Sequence, residues 1–164
     1  FSLMDILTAP PQRHVDFAEA SLFASKIEDI TTRQIAEKFE IKDGKPSMVI
    51  FHASWCMYCR KLLANIVALK NEGKMDGVHL LVVSVDESRV KLATYLLQRN
   101  YDKIFPAYII KPDKTLKIKD IVANKGGHYT GVIPYSLFFD GDGKLVKEQT
   151  GRMSREEILK AIGQ

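Results

Sequence analysis

Two nearly continuous apolar runs mark the chain, and each is followed by apolar residues at helical spacing. The runs are Ser47 to Ala53 and Val78 to Val85. Runs of this kind predict strands that are buried on both faces. After the first, apolar residues recur every three or four positions from Leu62 to Leu69, which predicts a helix that ends at Gly73. After the second, Asp86 is expected to cap a further helix.

Shorter signals predict the remaining elements. Thr31 with Gln34, and Ser154 with Glu157, have the spacing of a capping box and predict two helix starts. A loose apolar face predicts one more helix near the start, formed by Val15, Phe17, Ala18, Leu22 and Phe23. The other predicted elements are strands at Ala107–Ile110, Tyr135–Phe139 and Lys144–Gln149, a hairpin turn at Asp140–Gly143 and a helix at Thr115–Lys125.

The order of these elements predicts the fold class. Strands alternate with helices, and a hairpin and a closing helix follow. This order indicates an α/β architecture, in which helices flank a mixed sheet with a parallel centre and an antiparallel edge. The length of 164 residues suits one domain. We expect residues 1–14, which include Pro10 and Pro11, to form an extended arm, and residues 15–164 to form a single domain.

Composition excludes several classes of protein. Apolar residues make up 46% of the chain and charged residues 27%, which excludes a mostly disordered chain, a collagen-like fibre and a coiled coil. The net charge of +4 is mild, and no basic stripe interleaved with aromatic residues indicates a nucleic-acid binder. No apolar run is long enough to span a bilayer. Because the sequence begins at Phe1 without a Met, we expect a mature or trimmed form.

The two cysteines are the candidate chemistry. Cys56 and Cys59 are the whole cysteine content, and a disulfide between them closes too small a loop to stabilise a fold. The strand-to-helix transition places Cys56 at a helix N-terminus, where free N–H groups and the helix dipole stabilise a thiolate. Arg60 and Lys61 add positive charge nearby. Cys56 is therefore predicted to attack a partner disulfide, and the more enclosed Cys59 to resolve the mixed disulfide.

Other uses of a C-x-x-C pair are weaker. Covalent haem attachment needs a His directly after the pair, and that residue is Arg60. Zinc needs four ligands, and His52 lies in the strand before the pair, where shared chelation is poor. We therefore expect no metal and no cofactor besides the redox-active disulfide. A chaperone that holds Cu(I) on the two thiolates, an adaptor with an incidental pair, and two inert buried cysteines remain alternatives.

Two motifs resemble those of a known family. The segment Phe51–Leu62 (FHASWCMYCRKL) resembles the active-site segment of the thioredoxin superfamily, and Gly131–Pro134 (GVIP) precedes a strand and hairpin as in that family. There the proline is cis and lies against the cysteines, and the backbone beside it pairs with the substrate chain. The resemblance carries this role to Pro134 and Ile133. The residues expected to contact a partner around the cysteines are Trp55, Met57 and Tyr58, with packing over the site as the alternative for Trp55.

The chain is most similar in layout to the TlpA/ResA-like branch of that superfamily. The shared features are an extended N-terminal arm, an inserted β-α piece at approximately 105–127 and a D-G-D-G-K-L hairpin. The resemblance implies a bacterial extracytoplasmic reductase of protein disulfides in the periplasm, either free or anchored to the membrane before trimming. A membrane thiol-disulfide donor keeps such a protein reduced. A disulfide oxidant or isomerase of the same fold remains the alternative, because the direction depends on the reduction potential.

The chain departs from plain thioredoxins beneath the cysteines. Ile50 stands where those proteins carry a buried Asp that helps to move protons to the second cysteine. Proton transfer to Cys59 then uses water or His52, unless His52 is simply a packed strand residue. The inserted piece carries a set of lysines, which form either a solvated face or a docking surface for an acidic partner or anionic lipid. They are Lys111, Lys114, Lys117, Lys119 and Lys125.

Overall fold

A mixed sheet organises the protein. The computed structural model describes residues 12–164, so that residues 1–11 of the predicted arm lie outside the described residues. The strands of the described part are β1 (Glu28–Thr31), β2 (Ser47–His52), β3 (His79–Ser84), β4 (Tyr108–Lys111), β5 (Tyr135–Phe139) and β6 (Leu145–Thr150). The helices are α1 (Phe17–Ala24), α2 (Thr32–Phe39), α3 (Met57–Asn71), α4 (Arg89–Gln98), α5 (Ile118–Ala123) and α6 (Arg155–Ala161), with a 3₁₀ turn at Tyr101–Lys103.

The sheet has a parallel part and an antiparallel edge. Its strand order is β1-β4-β3-β2-β5-β6. The first four strands in that order pair in parallel, while β5 and β6 pair antiparallel with their neighbours. Because β2 and β3 run in parallel, with His52 opposite Ser84, the residues that follow both strands reach the same edge of the sheet. The predicted α/β architecture is confirmed.

Both faces of the central strand are covered. Every residue of β2 is buried. Met48 and Ile50 pack into one apolar cluster with residues of α3 and α4, whereas Val49 and Phe51 pack into a second cluster with residues of α2 and α5. This alternation follows from the period of two along a strand. It explains why the sequence of β2 is apolar throughout, because no face of the strand meets water.

The predicted capping boxes are confirmed. The N–H of Thr31 donates to Gln34 Oε1 at 2.8 Å, and the N–H of Gln34 donates to Thr31 Oγ1 at 3.1 Å. Ser154 and Glu157 exchange the equivalent bonds at 3.2 and 3.1 Å. Each pair satisfies two helix N–H groups that otherwise lack a partner.

Local predictions fail where tertiary contacts decide. In α1 the buried residues are Ala20 and Ala24, whereas Phe17 and Leu22 of the predicted apolar face are exposed. Small side chains suit α1 because it packs directly against α4. Strand β1, which pairs only with β4 at the sheet edge, has no apolar run to reveal it. The helix predicted at Thr115–Lys125 is shorter, as α5.

Asp86 does not cap a helix, contrary to the expectation from the sequence. The N-cap of α4 is Ser88, whose hydroxyl accepts from the N–H of Lys91 at 3.2 Å. The carboxylate of Asp86 instead accepts hydrogen bonds from Ser54 and Ser84. Asp86 lies two residues before the N-cap, which is too far from the helix to cap it, and it follows the end of β3.

Candidate active site

The cysteine pair lies at the start of α3. Cys56 is the N-cap residue of this helix, with extended backbone (φ −87°, ψ 113°), and its Sγ accepts the N–H of Cys59 at 3.2 Å. The two residues form a disulfide with their Cα atoms 5.2 Å apart. Cys56 is 8% exposed and Cys59 only 1%. A partner therefore meets Cys56 first, and the N–H of Cys59 is placed to stabilise a thiolate there.

The segment before β5 approaches the cysteines from the other side. The Ile133–Pro134 peptide bond is cis, as the resemblance to the thioredoxin superfamily implies. The carbonyl oxygen of Ile133 lies 3.9 Å from Cys56 Sγ, and the Ile133 side chain packs against the cluster of Ala53 and the two cysteines. A peptide group is thus available beside Cys56, where an extended partner chain has a backbone to pair with.

Exposed apolar side chains surround the disulfide. Trp55 is 69% exposed, and Met57 and Tyr58 are each 51% exposed. Val132, which the sequence analysis did not single out, is 54% exposed beside Ile133. Large apolar side chains exposed together mark a binding surface rather than a solvated one. Trp55, Met57 and Tyr58, which the sequence analysis expects to contact a partner, are therefore on the surface next to Cys56.

The loop that leads to Pro134 is fixed by Glu148 of β6. The Glu148 carboxylate accepts the backbone N–H of His128 at 2.9 Å and the hydroxyl of Tyr135. Burial and the adjacent Glu148 carboxylate raise the pKa of Tyr135, so that its hydroxyl stays protonated and donates. The ring centroids of Tyr129 and Tyr135 are 4.9 Å apart. These contacts hold both ends of the loop against the sheet.

Ser54, which directly precedes Trp55, is held on three sides. Its N–H and hydroxyl donate to the Asp86 carboxylate at 2.9 and 2.6 Å, and its carbonyl accepts from Arg60 Nε at 2.6 Å. The Ser84 hydroxyl also donates to Asp86, at 2.6 Å. Ser54 and Asp86 are buried. This arrangement fixes the backbone from which the C-x-x-C turn begins, and the positive charge of Arg60 is directed toward Ser54 and the ring of Tyr95.

Changing Asp86→Asn should destabilise the protein by about 1–3 kcal/mol, because the Asn amide N–H₂ cannot accept a hydrogen bond and leaves a buried donor without a partner. Denaturant unfolding at neutral pH measures this loss. Glu87→Gln is the matched control, since it removes the same charge from an exposed neighbour and should stay within about 0.5 kcal/mol of the wild type. Equal stability of the two variants would contradict this account of Ser54.

His52 is a packed residue of β2. It is 2% exposed, its Nδ1 has no hydrogen-bond partner, and it makes no hydrogen bond to Cys59 within the described part of the chain. Burial lowers the pKa of His52 to about 4, although the nearby Asp86 carboxylate opposes the shift. The imidazole is therefore uncharged at neutral pH. A role of His52 in proton transfer stays a prediction.

The lysines of the inserted piece lie outside the redox site. Lys111, Lys114, Lys117 and Lys119 are exposed. Lys125 contacts Glu40 at 2.9 Å, and this contact lowers the pKa of the Glu40 carboxyl.

In residues 12–164 no cluster of three or more His, Cys, Asp or Glu side chains has the arrangement of a metal site. Nor does any helix of that part have the length and apolar character needed to cross a membrane.

Comparison with known proteins agrees with this geometry. A thioredoxin-like domain model matches residues 34–164. Thiol-disulfide oxidoreductase ResA of Bacillus cereus is 28% identical over 131 residues, which cover 79% of this chain and 69% of that protein. A thiol:disulfide interchange protein of the thioredoxin family from Chlorobium tepidum superposes with a TM-score of 0.58 at 20% identity, covering 77% of this chain and 81% of its own.

StoA from Bacillus subtilis has the same fold at a TM-score of 0.53, with 18% identity over 73% of this chain and 83% of its own. The domain model includes the C-x-x-C pair, the segment around Pro134 and the closing helix α6. The match thus covers strands β2 to β6 and every residue of the site described above, whereas α1 and β1 precede it. The chain belongs to the thioredoxin-like family and is similar to its ResA-type thiol-disulfide oxidoreductases.

Proposed function

We propose that this protein is a thiol-disulfide oxidoreductase that reduces disulfides in partner proteins through Cys56 and Cys59. The carrying observation is the position of Cys56: it caps α3, is the more exposed cysteine, and has the Ile133 carbonyl and an exposed apolar surface beside it. An N-cap cysteine of this kind is suited to attack, because the helix start favours its thiolate. The redox-active disulfide is the only cofactor proposed.

The reaction proceeds by two exchanges. The Cys56 thiolate attacks one sulfur of the partner disulfide, which forms a mixed disulfide and releases the other partner sulfur as a thiolate. Cys59 then loses its proton and attacks Cys56 Sγ, which releases the second partner thiol. Two electrons pass to the partner, and Cys56 and Cys59 end as the disulfide seen in the structure. A dithiol donor must reduce this disulfide before the next cycle.

The site has separate elements for binding and for chemistry. Trp55, Met57, Tyr58 and Val132 offer apolar surface to the partner side chains, and Ile133 beside Pro134 offers its backbone. The resemblance to the TlpA/ResA-like branch supports a bacterial, extracytoplasmic setting, in the periplasm or an equivalent compartment. A membrane thiol-disulfide protein is the donor we propose for regenerating the reduced pair.

The equilibrium reduction potential of the pair tests the direction of electron flow. Trp55 is the only tryptophan and precedes Cys56 directly, so its fluorescence should report the redox state in a glutathione or dithiothreitol series. A reductant is expected near the thioredoxin value of about −270 mV. A value well above about −200 mV would overturn the assignment as a reductase and favour an oxidant or isomerase.

A further inference from the structure

A groove extends from the redox site along α3. It has a volume of about 1010 Å³, begins at Trp55 and Met57, next to Cys56, and follows the outer side of α3 as far as Asn71. The turn around Tyr101 forms part of one wall, and the segment that starts at Arg152 forms part of another. Small residues on α3, Ala64 and Ala68 among them, line it.

The groove is basic. Every charged residue that lines it within the described part of the chain is a cation: Arg60, Lys61, Arg99, Arg152 and Arg155. Arg155 contacts Glu72 at 3.2 Å near the far end. Among residues 12–164, Arg60, Arg99 and Arg152 make no salt bridge to a carboxylate; Arg60 and Arg152 lie over the rings of Tyr95 and Tyr58 instead. Much of the positive charge here is thus not neutralised locally.

We propose that this groove binds an acidic, extended segment of the partner protein that flanks the partner's reactive cysteine. This inference rests on the proposed function, because the groove and the redox site share Trp55 and Met57. A partner chain whose sulfur is at Cys56 enters the groove directly. Helix α3 has 15 residues and is about 22 Å long, which matches some six or seven residues of extended chain.

Charge complementarity favours an acidic occupant and predicts a kinetic effect. A surface of one charge sign raises the association rate of an oppositely charged partner by roughly 10–10³-fold, and salt weakens the effect. The apolar surface around Cys56 then provides contacts that are common to all partners. The groove adds a preference among partners, according to the charge of the sequence beside their disulfides.

Three cyclic disulfide peptides with six-residue tails of Glu and Ser, Lys and Ser, or Gly and Ser test the proposal. Single-turnover reduction by the reduced protein is followed by Trp55 fluorescence. At about 20 mM salt the acidic peptide should react at least roughly tenfold faster than the basic one. At about 0.5 M salt the ratio should fall toward one. Equal rates for all three peptides at low salt would overturn the groove proposal.

A pair of double variants locates the effect. Arg99→Gln with Arg155→Gln removes two charges from the groove, and Lys114→Gln with Lys119→Gln removes the same charge from exposed positions elsewhere. The groove variant should lose most of the preference for the acidic peptide, whereas the control should keep it. If only the control variant lost the preference for the acidic peptide, or if the groove variant kept it, the proposal would be contradicted.

Two further measurements separate the possible failures. Hydroxyethyl disulfide, which is small and neutral, reports the chemistry without the groove, and both double variants should reduce it at the wild-type rate. Failure of the unmodified protein to reduce it or any peptide would instead overturn the proposed function. If the protein sedimented with vesicles of anionic phospholipid and showed no preference among the peptides, the basic surface would be assigned to a membrane rather than to a partner chain.

Discussion

Cys59→Ser is expected to capture the partner protein as a stable mixed disulfide, whereas Cys56→Ser is expected to lose exchange by about 10³-fold or more. The difference follows from position. Cys56 caps α3 and is the more exposed cysteine, while Cys59 is only 1% exposed and lies behind it. Without Cys59 the first exchange still occurs, but nothing within the protein attacks the mixed disulfide.

Intact mass spectrometry after incubation with a disulfide peptide measures this capture. The Cys59→Ser protein should gain the mass of one peptide, and dithiothreitol should remove it. The Cys56→Ser protein is the matched control, with the same substitution three residues away and a single remaining thiol. If Cys56→Ser formed the adduct faster than Cys59→Ser, the assignment of attacking and resolving roles would be reversed.

The sheet centre was predictable because burial on both faces leaves a continuous apolar signal. Strands β2 and β3 and the helix after Cys59 lie where the apolar runs and spacing place them. The edge strand β1 was not predictable, because it pairs on one side only and its four residues include Glu28 and Asp29. The buried face of helix α1 was predicted only in part: Phe23 packs against the core, but the fully buried residues are Ala20 and Ala24. Close packing selects these small side chains, and their hydrophobicity does not reveal them.

The chemistry of the site could be predicted from the cysteines, but the hydrogen bonds that hold the site in place could not. The C-x-x-C pair at a strand-to-helix transition favoured a redox site over the alternative uses of two cysteines. The local sequence predicts a helix cap at Asp86, because it shows only a polar residue before an apolar helical pattern. Parallel pairing of β2 and β3 is what brings it to Ser54, and the sequence distance of 32 residues conceals that contact. The role of Glu148 was not predicted either, because its partners His128 and Tyr135 are also distant in sequence.

Lowering the pH from 7.5 to 5 should cost the protein about 2 kcal/mol through His52 alone, and about 3 kcal/mol once the pH is below 4. The folded pKa of His52 is about 4, below the ordinary value of 6.5. The unfolded chain therefore binds a proton between these values that the folded chain does not. The stability contributed by the neutral imidazole is complete above pH 6.5 and is lost as the pH falls toward 4.

Denaturant unfolding of the wild type and of His52→Leu at pH 7.5 and pH 5 measures this contribution. Both proteins carry the same carboxyl groups, so the difference in pH dependence between them is assigned to the loss of the His52 imidazole. The variant should lose about 2 kcal/mol less than the wild type on acidification. His128→Leu changes an exposed imidazole and should retain the wild-type pH dependence. If His52→Leu had the pH dependence of the wild type, protonation of the buried imidazole would not lower the free energy of unfolding. This result would contradict the assignment of the pH dependence to His52 and would mean that Nδ1 gains a hydrogen-bond partner in solution.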